Sequence, residues 1–232
     1  MSAAATGSEQ ARRPVVPSHR LPTWTVATIG TSVEGRPIER LDSRPERVQR
    51  HVVVMCGVHG DERATADLAD GFGRINRPDD LHLTIVPQVN PDGWEAGTRN
   101  NARDVDLNRN FPWGWPRRPN SGSGPASEPE TRAAVALLET TRPDLVVWVH
   151  QPLNYVAALR GCPEWYADIW SDVADVPVRK NLAQIGGGES WASRRLGIPS
   201  MLIEVGGTRT EPIGANGHIA ALEALIFAVQ PT

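Results

Sequence analysis

Three things are scarce in this chain: cysteine, tyrosine, and any long run of apolar residues or of one charge. Two cysteines, Cys56 and Cys162, cannot form the multi-bridge framework of a small secreted fold. Cys56 lies inside an apolar run, where a reduced thiol packs as a small hydrophobe. No stretch approaches the about 18 apolar residues of a membrane span, so no membrane partner is expected. The opening MSAAATGSEQARRPVVPSHR lacks the apolar segment of a secretory leader, which makes the cytoplasm the expected location. A formal net charge of -3, without a Lys/Arg-rich run, removes the electrostatic footprint of a nucleic-acid binder. Small charged ligands bound locally remain open, and the oligomeric state is not legible.

What is present suits one domain. A chain of 232 residues can bury a sizeable core. Residues 1–22, rich in Ala, Ser, Pro and Arg, read as a flexible lead-in, and 23–232 as the folded unit. TWTVATIGTSVEGRPIERLDS has the pattern of an edge hairpin. RVQRHVVVMCGV, LHLTIVPQVNPDG, PDLVVWVHQP and PSMLIEVGG are apolar runs of strand length, of the kind buried on both faces. ATADLADGFGRI, SEPETRAAVALLETT and GHIAALEALIFAVQ carry helical spacing, with Ser127 as the expected N-cap of the second. Residues 90–127 show little periodicity and read as a long functional or disordered loop, and the chain between the last two strands reads as irregular. The expected architecture is α/β: a single domain with a mixed, mostly parallel sheet sandwiched by helices.

The chemistry gathers at strand ends, where open α/β sheets place their ligands. VVVMCGVHGDE ends a strand with His59 and Glu62, DLVVWVHQP ends one with His150, and SMLIEVGG carries Glu204. A catalytic zinc ion needs three N/O ligands and an open position, which His59, Glu62 and His150 would supply. Glu204 would then be free for proton transfer. Taken singly, each histidine could equally be a satisfied core residue, and Glu204 a structural ion-pair partner of an arginine.

In order along the chain, HGDE, NPDGWEAGTRNNARDVDLNRNFP, the VH of 149–150 and IEVGG, supported upstream by GTSVEGRPI, resemble the zinc carboxypeptidases of the carboxypeptidase A type. The resemblance runs from about residue 24 to the end. It implies one Zn2+ ion held by His59, Glu62 and His150, with Glu204 as general base. It implies Arg99 as the group that polarises the scissile carbonyl, and Asn108 with Arg109 as the grip on a terminal carboxylate. By the same resemblance Glu189 falls at the floor of the pocket for the departing residue, where it would favour a cationic group; the alternative is a polar loop residue. Asp61 and Asp106 read as orienting residues, Arg103 as a surface charge, and His19, His51, His82 and His218 as non-catalytic.

One departure concerns the phenol that digestive members close over their substrate. Counted back from Trp191, that position holds Leu182, and the chain's tyrosines are Tyr155 and Tyr166. Segments between the metal-binding stretches are also short, as in compact bacterial members that release meso-diaminopimelate from cell-wall peptides. The function implied is hydrolysis of an amide next to a free carboxylate in a small peptide. Its alternatives are N-acyl amino acid deacylation, general carboxypeptidase activity, or a zinc-binding protein without turnover.

Overall fold

The computed structural model describes residues 23–208 and 212–231. The lead-in over 1–22, with His19, lies outside them. The central sheet has seven strands in the order β1-β2-β4-β3-β5-β7-β6. In chain order these are β1 (Thr25–Thr31), β2 (Pro37–Ser43), β3 (Arg50–Met55), β4 (Leu81–Val86), β5 (Leu145–His150), β6 (Tyr155–Ala158) and β7 (Ser200–Glu204). The middle four strands run parallel, while β1, β2 and β6 pair antiparallel at the edges, so the sheet is mixed as expected. A small antiparallel pair, β8 (Gly206–Gly207) and β9 (Pro212–Ile213), follows.

Helices cover both faces because β3 buries successive residues on opposite sides. Val52 and Val54 pack with Leu68 and Phe72 of α1 (Ala64–Phe72), Trp170 of α4 (Glu164–Ala174) and Leu222 of α6 (Ala215–Ala228). Val53 and Met55 pack with Leu137 and Leu138 of α3 (Pro129–Thr141) and with Trp191, which ends the short α5 (Gly188–Trp191). This period of two, apolar on both sides, is what a sheet covered twice requires. Trp148, Trp170 and Trp191 are among the largest fully buried side chains. Burial of such a side chain contributes on the order of 2–3 kcal/mol. Both cysteines are free and buried.

Three sequence expectations change. Helix α3 begins at Pro129 behind Glu128, and the Ser127 hydroxyl donates to the Glu128 carboxylate rather than capping the helix. Proline at the first helical position brings a preset φ and no N–H in need of a cap. The segment 90–127 is ordered: Asn-Pro-Asp-Gly opens the helix α2 (Pro91–Ala96), whose Gly93 N–H donates to Asn90 Oδ1 at 2.9 Å. Two 3-10 turns follow, Leu107–Arg109 and Pro119–Ser121. The chain between β5 and β7 supplies both β6 and α4, instead of irregular loop.

One buried histidine sets a pH limit on this fold. His218 on α6 is fully enclosed, and its Nδ1 accepts a hydrogen bond from Trp170 Nε1 at 3.1 Å. Burial pushes its pKa down to about 4, against an ordinary value of 6.5. The unfolded chain therefore takes up this proton first as the pH falls, so stability is complete above about pH 6.5 and declines towards pH 4. We expect the unfolding free energy from urea titrations to drop across that window by about 3 kcal/mol from this residue, with a shallower drop in His218→Gln.

Candidate metal and catalytic site

Parallel pairing brings the carboxyl ends of β3, β5 and β7 side by side, and the register places His150 directly beside Glu204. The turn after β3 reaches the same place because two glycines let it fold tightly. Gly57 has φ +62°, in the left-handed region that side chains disfavour. Gly60 lies so close to α2 that an added Cβ would stand 1.9 Å from the Gly93 carbonyl carbon. The backbone of Gly60 also donates to Arg99 O, and Asn90 N donates to Gly57 O, lacing the turn to the next connection. This is the physical reason for a glycine-flanked HGDE: the histidine and acids must turn back over the strand ends.

His59, Glu62 and His150 then converge, each offering one ligand atom with all within 4.8 Å of one another. All three are buried. His59 Nδ1 stands 2.7 Å from Glu62 Oε1, and His150 Nδ1 stands 3.0 Å from Glu62 Oε2 and 3.1 Å from His59 Nδ1. His59 Nε2 faces Asp106 Oδ1 at 3.1 Å. That contact places the ring proton on Nε2 and turns the Nδ1 lone pair toward the convergence point. Three lone-pair donors aimed at one another need a cation between them, and two imidazoles with one carboxylate are the donor set of a catalytic zinc site. The residues therefore fit the ion that the sequence resemblance implies.

The local electrostatics agree. Burial opposes the charge on His59, but Glu62 and Asp106 outweigh it and raise its pKa to about 9. Burial likewise opposes the Glu62 carboxylate, but the two histidines outweigh it and hold it down at about 2. Asp106 is lowered as well, by His59 and Arg99 against its burial. Glu204 is raised, first by burial and in part by Glu62, with His150 and His59 pulling the other way. Its Oε2 accepts from Leu153 N at 3.3 Å, and among the described residues no arginine pairs with it.

The expected metal ligands His59, Glu62 and His150, with Glu204, Arg99, Asn108, Arg109 and Glu189, all line one cleft of about 330 Å³. Arg99 donates from Nε to Asp106 Oδ2 at 3.2 Å, has Nη1 3.6 Å from Glu62 Oε1, and is half-exposed toward the cleft. Asp106 also accepts from Asn108 N at 2.9 Å and so caps the turn that carries Asn108 and Arg109. Asn108 Oδ1 accepts from Gly188 N at 2.9 Å, tying that turn to α5. Arg109 Nη1 donates to Asn108 O at 2.7 Å. Glu189 is buried, with its pKa raised chiefly by that burial, and its Oε2 has no partner. An unpartnered carboxylate oxygen enclosed at the cleft suits a cationic group of a ligand better than a solvated loop does.

Other residues fall elsewhere. Arg103 pairs with Glu128 at 3.5 Å and does not line the cleft. His51 and His82 stack on one another beside Thr84 and Asp42, on the sheet. Tyr166 sits in the core, where its hydroxyl accepts from Gln230 N. Tyr155 does line the cleft, opposite Glu204 across the β6–β7 pairing, as does Leu182. Its position could have been found only by recognising β6 as a strand.

A family model described as zinc carboxypeptidase matches residues 76–186, which include Arg99, Asn108, Arg109 and His150. His59, Glu62, Glu189 and Glu204 lie outside the matched span and reach the same cleft through the fold. Over that span, a little under half of the chain, the sequence is similar to the zinc carboxypeptidases. Among relatives it is 35% identical to murein peptide amidase A of Escherichia coli K12 over 157 residues, 60% of this chain and 64% of that one. It is 32% identical to murein peptide amidase A of Vibrio campbellii over 149 residues, 57% and 60% of the two chains. These alignments thus span less than two thirds of either relative. The crystal structure of murein-tripeptide amidase from Escherichia coli O157 superposes with TM-score 0.72 at 25% identity, covering 94% of this chain and 96% of that one. Thrombin-activatable fibrinolysis inhibitor shares the fold, with TM-score 0.76 at 18% identity over 89% of this chain and 69% of that one.

Asp106 supports one ligand, one arginine and one turn, so its charge has a measurable consequence. We expect Asp106→Asn to keep the fold and to weaken zinc affinity roughly 10- to 100-fold, read by competition with a chromophoric chelator.

Proposed function

We propose that this protein is a zinc-dependent hydrolase that cleaves an amide bond next to a free carboxylate in a small peptide. Its substrate in this reading is the γ-D-glutamyl to meso-diaminopimelate bond of murein peptides, taken in the cytoplasm during recycling of cell-wall material. The observation that carries the proposal is the convergence of His59 Nδ1, His150 Nδ1 and the Glu62 carboxylate, with Glu204 adjacent to His150 on the next strand. Similarity to murein peptide amidases A supports the choice of substrate. None of the described helices is long and apolar enough to cross a membrane.

His59, Glu62 and His150 would hold the zinc ion, which when bound supplies Lewis acidity toward a carbonyl and a water nucleophile at neutral pH. Glu204 accepts a proton from the attacking water and returns it to the leaving nitrogen. Its enclosed position, which raises its proton affinity, suits both halves of that transfer. Arg99, anchored by Asp106 through Nε, keeps its remaining N–H groups for the carbonyl oxygen as negative charge develops there. Arg109, steadied on the Asn108 carbonyl, offers the rest of its fork to the terminal carboxylate, beside the Asn108 side chain. Glu189 meets an ammonium of the departing residue. Leu182 stands where digestive relatives have a mobile phenol, and Tyr155 is the phenol that lines this cleft.

The test uses zinc-loaded protein and L-Ala-γ-D-Glu-meso-diaminopimelate, with free diaminopimelate followed by mass spectrometry. We expect release by the wild type and a loss of roughly 10²- to 10⁴-fold in kcat for Glu204→Gln, with zinc content unchanged. No release by a folded, zinc-loaded wild type sinks the murein assignment. A panel of acyl amino acids and ordinary C-terminal peptides then separates a deacylase, a general carboxypeptidase and a binding protein without turnover.

A further inference from the structure

A second pocket, of about 270 Å³, adjoins the catalytic cleft, and Leu159 and Leu182 belong to the walls of both. Its lining carries four cations, Arg160, Arg179, Lys180 and Arg194, against two acids, Glu164 and Asp168. Lys180 is neutralised by Glu164 at 2.6 Å. The three arginines have no carboxylate within ion-pairing distance among the described residues. Arg179 lies over the Tyr155 ring, 4.5 Å from its centroid, and Tyr155 lines the catalytic cleft. Tyr155 shares the lining of that cleft with Glu189, whose Oε2 has no partner. Arg179 thus stands at the passage between the cleft and the basic pocket, held by a cation–π contact that leaves its N–H fork free.

We infer that this pocket binds a carboxylate at the far end of the departing residue's side chain, with Arg179 as the principal contact and Arg160 in support. The inference rests on the activity proposed above and deepens it. A departing residue gripped by Arg109 at its own carboxylate sends its side chain past Tyr155. If that side chain ends in both an ammonium and a carboxylate, Glu189 faces the first and Arg179 the second. A lysine in the same place offers the ammonium alone. A guanidinium fork matches a carboxylate through two parallel hydrogen bonds, which a glutamine cannot reproduce. The pocket therefore selects side chains that are zwitterionic at their far end, and it acts on binding rather than on the proton transfers at Glu204.

The experiment compares L-Ala-γ-D-Glu-meso-diaminopimelate with L-Ala-γ-D-Glu-L-Lys, on zinc-loaded wild type, Arg179→Gln, Arg179→Lys and the Arg160→Gln/Arg179→Gln double variant. We expect the wild type to favour the diaminopimelate peptide. Arg179→Gln should lower its kcat/KM by roughly tenfold or more, mainly through KM, while the lysine peptide stays within about twofold. Arg179→Lys should recover part of the loss, and the double variant should lose more. An equal loss on both peptides, or a selectivity that Arg179→Gln leaves intact, overturns the inference while the activity stands. Hydrolysis of neither peptide by the wild type overturns the activity and the inference together.

Discussion

The Asp106 carboxylate ties the site together. One oxygen meets His59 Nε2 and the Asn108 backbone N–H, and the other meets Arg99 Nε. Through these contacts a single buried anion orients a candidate metal ligand, anchors an arginine and starts the turn that carries Asn108 and Arg109. If its charge were absent, His59 would lose the partner that settles its tautomer, and Arg99 would be free to leave the cleft. Asn108 extends the chain of support, because its side-chain oxygen fixes the first residue of α5, next to Glu189.

Burying so many charged groups together is costly unless they satisfy each other. Here the costs offset. Glu62 is held ionised by two histidines, Asp106 by His59 and Arg99, and the whole group rests on the ends of parallel strands whose side chains are packed on both faces. Glu204 differs from these acids, since its burial is not outweighed by its neighbours and its proton affinity rises. Glu189 differs as well, with one oxygen left unmatched. Glu204 and Glu189 are thus set apart from Glu62 and Asp106 by how incompletely the protein itself satisfies them.

Much of this was legible in the sequence. The apolar runs that became β3, β4, β5 and β7 are long enough and β-branched enough to announce themselves, and the polar residues at their ends mark the site. Four-residue β6 was hidden because Tyr-Val-Ala-Ala is short and borders loops on both sides. Helix α4 buries Tyr166, Ala167, Trp170 and Ala174, a helical pattern that an exposed Trp165 and the preceding Gly-Cys-Pro obscure. Asn-Pro-Asp-Gly reads as a turn, yet the same residues serve as cap and first turn of α2. The contact between Asp106 and His59 spans 47 residues of sequence, and nothing local to Asp106 points to it. The basic pocket was invisible for the same reason, since β6, α4 and the Arg179 segment had first to be brought together.

The measurement that bears most directly on the central claim is an anomalous-scattering map at the zinc edge, from crystals of the zinc-loaded protein. The account predicts a single strong peak within bonding distance of His59 Nδ1, His150 Nδ1 and the Glu62 carboxylate, with Asp106 still against His59 Nε2. A peak bound through Nε2 of either histidine, or no peak between these three residues in protein shown to contain zinc, would contradict it.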